Sequence, residues 1–157
     1  MEKQKLLDKL IEHFEAEWRH FLKSAQVHHE MATHEENVAE NEYDTRGLEA
    51  SYLAEGHVKQ AKEAQLTLSA LKRLELESFE DEPIAVGALV ELANKAERRF
   101  YFLGPRGGGA KVEVDGVSVT LITPNAPLGR ALSGKTVGEE IILGGHAPAT
   151  YEIINVT

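Results

Sequence analysis

The chain has 157 residues, no Cys, and a formal net charge of -9 from 17 basic and 26 acidic side chains, with 42% apolar and 27% charged residues. That composition fits a soluble globular protein of one ordinary or two small domains, and it excludes disulfide frameworks, zinc knuckles and thiol catalysis. The acidic balance argues against direct binding to a nucleic-acid backbone, which needs clustered Lys and Arg, so a nucleic-acid link would run through a protein partner.

In chain order, the opening MEKQKLLDKLIEHF carries charges where a signal peptide is apolar, and no apolar stretch approaches the ~18 residues of a membrane span. The expected location is therefore the cytoplasm. Leu6, Leu7, Leu10, Ile11, Phe14, Trp18, Phe21, Leu22, Ala25, Met31 and Ala32 recur at three-and-four spacing. They predict one helix from about Glu2 to Thr33, roughly 48 Å long at 1.5 Å per residue. A second periodic segment places Leu48, Tyr52, Val58, Ala61, Gln65, Leu68 and Leu71 or Lys72 on its seam. Two helices with one apolar stripe each hide both by folding back as an antiparallel coiled-coil hairpin, with the reversal near His34 to Glu42.

Composition changes after that. All five Pro and eleven of the thirteen Gly lie beyond residue 82, whereas six of the seven His precede it. The charged, aperiodic stretch 78–83 ends at Pro83 and reads as a linker between a helical domain, 1–77, and a second domain, 84–157. Within the second domain Val86 to Leu92, Phe100 to Leu103, Lys111 to Val114, Val117 to Ile122, Glu139 to Leu143 and Tyr151 to Val156 read as strands. Asp115-Gly116 marks a two-residue hairpin turn. Pro127 to Leu132 reads as a short helix, with Asn125 as its cap and Gly134 as its stop. The expected class is α+β: a helical hairpin, then a small, mostly antiparallel sheet with one short helix.

The chemistry concentrates at the hairpin end. From Ser24 to Thr45 there is no Lys or Arg, yet Glu30, Glu35, Glu36, Glu40, Glu42 and Asp44 are present. Glu40 and Glu42 at the opening of the second helix would oppose the positive end of its dipole. The same carboxylates, at the end of a long arm, could enter another protein's cavity and share a Mg²⁺, which takes one or two carboxylates with water or substrate completing the shell. Glu17-Trp18-Arg19-His20 has the Glu-x-x-His spacing of di-iron bundles, and Glu30 with His34 are i,i+4 neighbours, but a di-iron site needs the motif twice. Adjacent His28 and His29 point to different helix faces and read as solvated. Gly107-Gly108-Gly109 lacks the following Gly-Lys-Ser of a phosphate cradle and reads as a flexible hairpin loop.

Glu40-Asn41-Glu42-Tyr43, then Glu49, then Glu55-Gly56-His57-Val58 resemble the second-helix signature of the GreA/GreB transcript-cleavage factors of bacterial RNA polymerase. The second half is similar to the same family over Val86-Gly87-Ala88-Leu89-Val90, Arg99-Phe100-Tyr101-Phe102-Leu103-Gly104-Pro105 and the block Ile122-Thr123-Pro124-Asn125-Ala126-Pro127-Leu128-Gly129-Arg130-Ala131-Leu132 through Glu140, closing on Tyr151-Glu152-Ile153-Ile154. The resemblance implies a coiled coil that enters the polymerase secondary channel and an FKBP-like domain that docks at the channel rim through Thr123, Ala126, Pro127 and Leu128. It implies an accessory factor rather than an enzyme, with no cofactor or metal of its own. Glu40, with Glu35, Glu36, Glu42 and Asp44, would face the polymerase Mg²⁺, and nucleic acid would be met only through the polymerase.

Two departures from the family pattern bear on activity. Aligning Glu40-Asn41 with the family's Glu-Asn puts Glu36 at the tip Gly and Asn37 at the tip Asp, so an amide replaces a metal-facing carboxylate. Thr123 and Ala126 stand where the family commonly has Ser. Three readings follow: a factor that stimulates transcript cleavage, a non-cleaving channel occupant that modulates elongation or initiation, and an FKBP-like prolyl isomerase. The last would need an aromatic-lined cleft and rests on fold analogy alone.

Overall fold

The computed structural model describes residues 1–34, 40 and 45–157, which form helices α1 (Lys3–Thr33), α2 (Arg46–Lys72) and α3 (Pro127–Leu132), and strands β1 (Leu89–Ala93), β2 (Arg98–Leu103), β3 (Lys111–Val114), β4 (Val117–Ile122), β5 (Glu140–Leu143) and β6 (Ala149–Val156). Packing divides the chain into two compact units, Glu12–Leu68 and Met1–Ile11 with Ser69–Thr157. The first turns of α1 and the last turn of α2 thus pack within the sheet's unit.

In the unit Glu12–Leu68, α1 contributes rings to the seam and α2 contributes small residues. Phe14 and Ala25 are buried and Trp18, Phe21, His28 and Ala32 are half-buried, while α2 buries Ala50, Ala54, Ala61, Ala64 and Leu68 at helical spacing. The helices run antiparallel as expected: Phe21 and His28 both stack on His57, and Met31 shares a cavity with Arg46 and Glu49. The expected seam of α2 is corrected. Leu48, Tyr52 and Val58 are 54%, 64% and 55% exposed, Gln65 is exposed, and in the other unit Leu71, not Lys72, is buried. Leu48 and Tyr52 each lie two residues, about 200° around the helix, from Ala50 and Ala54, so a seam built on the alanines turns the larger side chains outward. The start of α2 also differs. It begins at Arg46, so Glu40, in a bend, does not open it; its first-turn acid is Glu49, whose Oε1 accepts a 3.0 Å hydrogen bond from Thr45 Oγ1. Glu42 lies outside the described residues.

In the second unit six strands form one sheet in the order β3-β4-β2-β1-β6-β5. Four neighbouring pairs are antiparallel and β2 and β4 run parallel, Phe100 facing Val119 and Leu103 facing Ile122, so the sheet is mixed and, as expected, mostly antiparallel. The reason lies in residues 104–110, which carry the chain past the slot beside β2 to the edge. There β3 turns back through Asp115 and Gly116, at φ 52° and 78°, and β4 fills the slot. The first strand begins at Leu89 rather than Val86, after a turn in which Gly87 has φ 101°.

Alternation makes two buried faces. Val90, Leu92, Leu103, Ile122, Tyr151 and Ile153 share a core with Phe79, Ile84, Leu132 and Ile141, while Leu89, Phe102, Val119 and Leu121, on the opposite pleat, are also buried. Leu6, Leu7, Leu10 and Leu71, from the helix roots of the same unit, are likewise at most 5% exposed. At ~25 cal/mol per Å² of apolar surface, each such leucine contributes about 2 kcal/mol.

Candidate functional site

Two places hold the residues singled out by the sequence. At the hairpin end Glu40 is exposed, and Glu35, Glu36, Asn37, Glu42 and Asp44 lie outside the described residues. Nearby, Glu30 and Glu49 are exposed and half-occupied by local bonds: Gln26 Nε2 donates to Glu30 Oε1 at 3.0 Å, and Thr45 to Glu49. The described end of the hairpin keeps its acidic character, with Arg46 at the first position of α2 as its cation.

The second place is the corner where β4 passes into α3. Thr123, Ala126, Pro127 and Leu128 are brought together there: Ala126 N–H donates to Thr123 O at 3.0 Å, and Arg130 N–H to Ala126 O at 2.9 Å. Pro127 is exposed, Thr123, Ala126 and Leu128 are half-buried, and Leu128 packs on the core. Gly129 holds the corner closed, because a β-carbon there would fall 1.9 Å from Thr123 O, an impossible overlap. The expected cap is corrected: Ala126, not Asn125, occupies the N-cap with no side-chain bond. Pro127 at the first helical position has no N–H to satisfy, so the helix starts without a polar cap. Gly134 ends the helix at φ 80° as expected, its N–H donating to Ile84 O at 2.9 Å.

Beside this corner a cavity of about 490 Å³ is lined by Ala131, Lys135, Glu140, Ile141, Ile142 and Thr150. None of these is aromatic, so the cavity does not have the lining that an isomerase reading requires. Lys135 Nζ is 2.9 Å from Glu139 Oε1 and, with the Thr136 N–H, holds the Glu139 carboxyl below the usual carboxylate range.

Two clusters escaped the sequence. The Arg99 guanidinium donates to Glu97 Oε1 at 2.6 Å, Tyr151 Oη donates to the same oxygen at 2.5 Å, and Arg99 lies over the Tyr151 ring, 5.0 Å from its centroid. The bond to Arg99, then that to Tyr151, lowers the Glu97 pKa; the carboxylate in turn raises those of Arg99 and Tyr151. In the arm, His28 is not solvated as expected. Its ring stacks on His57 at 5.1 Å and 13°, and its buried Nδ1 has no hydrogen-bond partner, while His29 is exposed. Its i,i+3 and i,i+4 neighbours Ala25 and Ala32 on the seam were the available signal. Among the described residues no group of three or more His, Asp or Glu side chains is placed to hold a metal. Glu17 instead lies 3.9 Å from His13 Nε2.

No family model and no curated protein matches the chain. Solved structures do. The chain is similar to Gfh1 of Thermus aquaticus, at 21% identity over 95% of this chain and 92% of that one, with a TM-score of 0.41. It is similar to GreA factor homolog 1 (Gfh1) of Thermus thermophilus, at 20% identity over 96% and 94%, with a TM-score of 0.38. A prokaryotic transcription elongation factor GreA/GreB from Nitrosomonas europaea is 24% identical over 60% of this chain and 78% of that one, with a TM-score of 0.38.

Proposed function

We propose that the chain is a Gre-type accessory factor that binds bacterial RNA polymerase, places its hairpin in the secondary channel and modulates elongation. The observation that carries this reading is the block from Ile122 to Glu140. Its resemblance to the Gre family includes Thr123, Ala126, Pro127 and Leu128, which the fold gathers into one corner with Pro127 exposed, and Gly129, which fits only as glycine because of Thr123 O. The arm supports it from a second direction. Leu22, Val27, Met31, Leu48, Tyr52, Leu53 and Val58 are all more than 40% exposed on it, an apolar surface suited to burial against a partner. In this reading the protein supplies reach and carboxylates, and the Mg²⁺ and the reacting RNA belong to the polymerase.

Asn37 favours the non-cleaving form of the reading. A neutral amide at the tip can ligate Mg²⁺ but adds no charge to hold it, and a carboxylate at a neighbouring position would have to reach the same point from a different backbone atom, a displacement that catalysis tolerates poorly. The test adds the purified protein to backtracked elongation complexes and follows RNA length. Binding with little shortening is expected, with Asn37→Asp increasing the shortening and Glu40→Ala abolishing that gain. Absence of polymerase binding in a pull-down contradicts the reading altogether.

A further inference from the structure

Where the hairpin joins the sheet, three separate stretches of chain meet at one side chain. Lys3, in the first turn of α1, donates from Nζ to Glu77 O and, at 3.3 Å, to Gly87 O, and the ammonium lies 5.0 Å from the centroid of the Phe79 ring. Phe79 is itself buried, and its ring edge is 3.5 Å from where a β-carbon on Gly87 would stand. All four residues belong to the same compact unit. Lys3 therefore ties the start of α1 to both ends of the connector 77–87, which contains the stretch 78–83 that the sequence reads as a linker.

We infer that Lys3 is a positioning residue, a clamp that fixes this connector and with it the root of the hairpin. Burial disfavours its charged form and lowers its pKa, and Glu77 only partly offsets this. A partly buried ammonium that is incompletely compensated adds little to global stability. It favours the one arrangement in which both carbonyls share this donor, so its contribution is to geometry more than to folding free energy. Lys5, two residues further along α1, instead faces the Asp115 carboxylate at 3.7 Å on the exposed surface.

The test is amide hydrogen exchange on the full chain, free of any partner. In Lys3→Met the amides of Glu82, Gly87 and Ala88, bonded to Phe79 O, Leu103 O and Ala85 O, should exchange about tenfold faster. The amide of Leu121, bonded to Ala110 O, should not change, and the melting temperature should stay close to that of the parent. Lys3→Arg, which keeps the cation and its donors, should restore slow exchange. Lys3→Gln, neutral and shorter, serves as the second variant and should open the same amides. Unchanged exchange at residues 82–88, acceleration spread equally over β4, no rescue by Lys3→Arg, or unfolding of both neutral variants would each overturn the clamp. None of these outcomes depends on polymerase binding, so the inference and the proposed function fail separately.

Discussion

The two compact units bury their apolar surface in different ways. The sheet unit closes around leucine, isoleucine, valine and aromatic side chains from both pleats, with Phe102, Leu92, Leu121, Leu132 and Ile153 essentially inaccessible. The arm unit closes around alanines facing rings, puts a stacked His28–His57 pair on its seam, and, Leu68 apart, leaves its described larger aliphatic side chains outside. The sheet unit is built to hold itself together, whereas the arm spends much of its apolar surface outward, where a partner can cover it. That contrast links packing to function more directly than the overall acidity does.

The sharpest way to break the contrast is to remove one large apolar side chain from each unit. Phe102→Ala should cost about 3–5 kcal/mol, read by denaturant unfolding, because a buried ring leaves a cavity. Tyr52→Ala should change stability by no more than about 0.5 kcal/mol, since the ring is exposed. Equal costs would contradict the difference between the units. A smaller effect is expected on the arm seam itself: Ala61→Leu should destabilise by about 1–3 kcal/mol, because the added methylenes have no space at a position 2% exposed.

His28→Leu sharpens the comparison from the other side. It removes a buried nitrogen without a partner while keeping an apolar side chain on the seam, so unfolding should show no loss, or a gain of up to about 1 kcal/mol. The smallest expected effect is on pH. The pKa values of Glu97 and Glu139 are lowered in the fold, so the stability they contribute is present above the ordinary carboxylate value of 4.5 and is lost as pH falls through their folded values. The melting temperature should drop on acidification below that value, and Glu97→Gln should flatten the drop if Arg99 and Tyr151 are its cause.

Much of the sheet unit was legible in the sequence because its signals are local. Asp115-Gly116 specifies the β3–β4 turn, and short β-branched, leucine and aromatic runs between turn residues set every strand end to within three residues. The parallel β2–β4 pair was not legible, since nothing in residues 104–110 states how many slots they cross. The α2 seam differs from the expectation because Leu48 and Tyr52 carry more apolar surface than alanine, whereas the seam facing Phe21 and His28 selects for small size. The Glu97–Arg99–Tyr151 cluster depends on a contact 54 residues apart in sequence, which no spacing rule reaches. The corner from Thr123 to Leu128 was legible as a motif, but its cap was not, because Pro127 makes the polar residue before it unnecessary. The tip assignments of Glu35, Glu36, Asn37, Glu42 and Asp44 lie outside the described residues.

The central claim, that the acidic end of the arm reaches the polymerase active centre, can be tested by proximity. The chain has no Cys, so Glu40→Cys gives a single attachment point for an iron chelate that generates hydroxyl radicals. On stalled elongation complexes the account predicts strand scission of the nascent RNA confined to its 3′ end, and none from a chelate placed at Lys111→Cys in the edge strand β3. Binding without scission near the 3′ end, or equal scission from both positions, would contradict it.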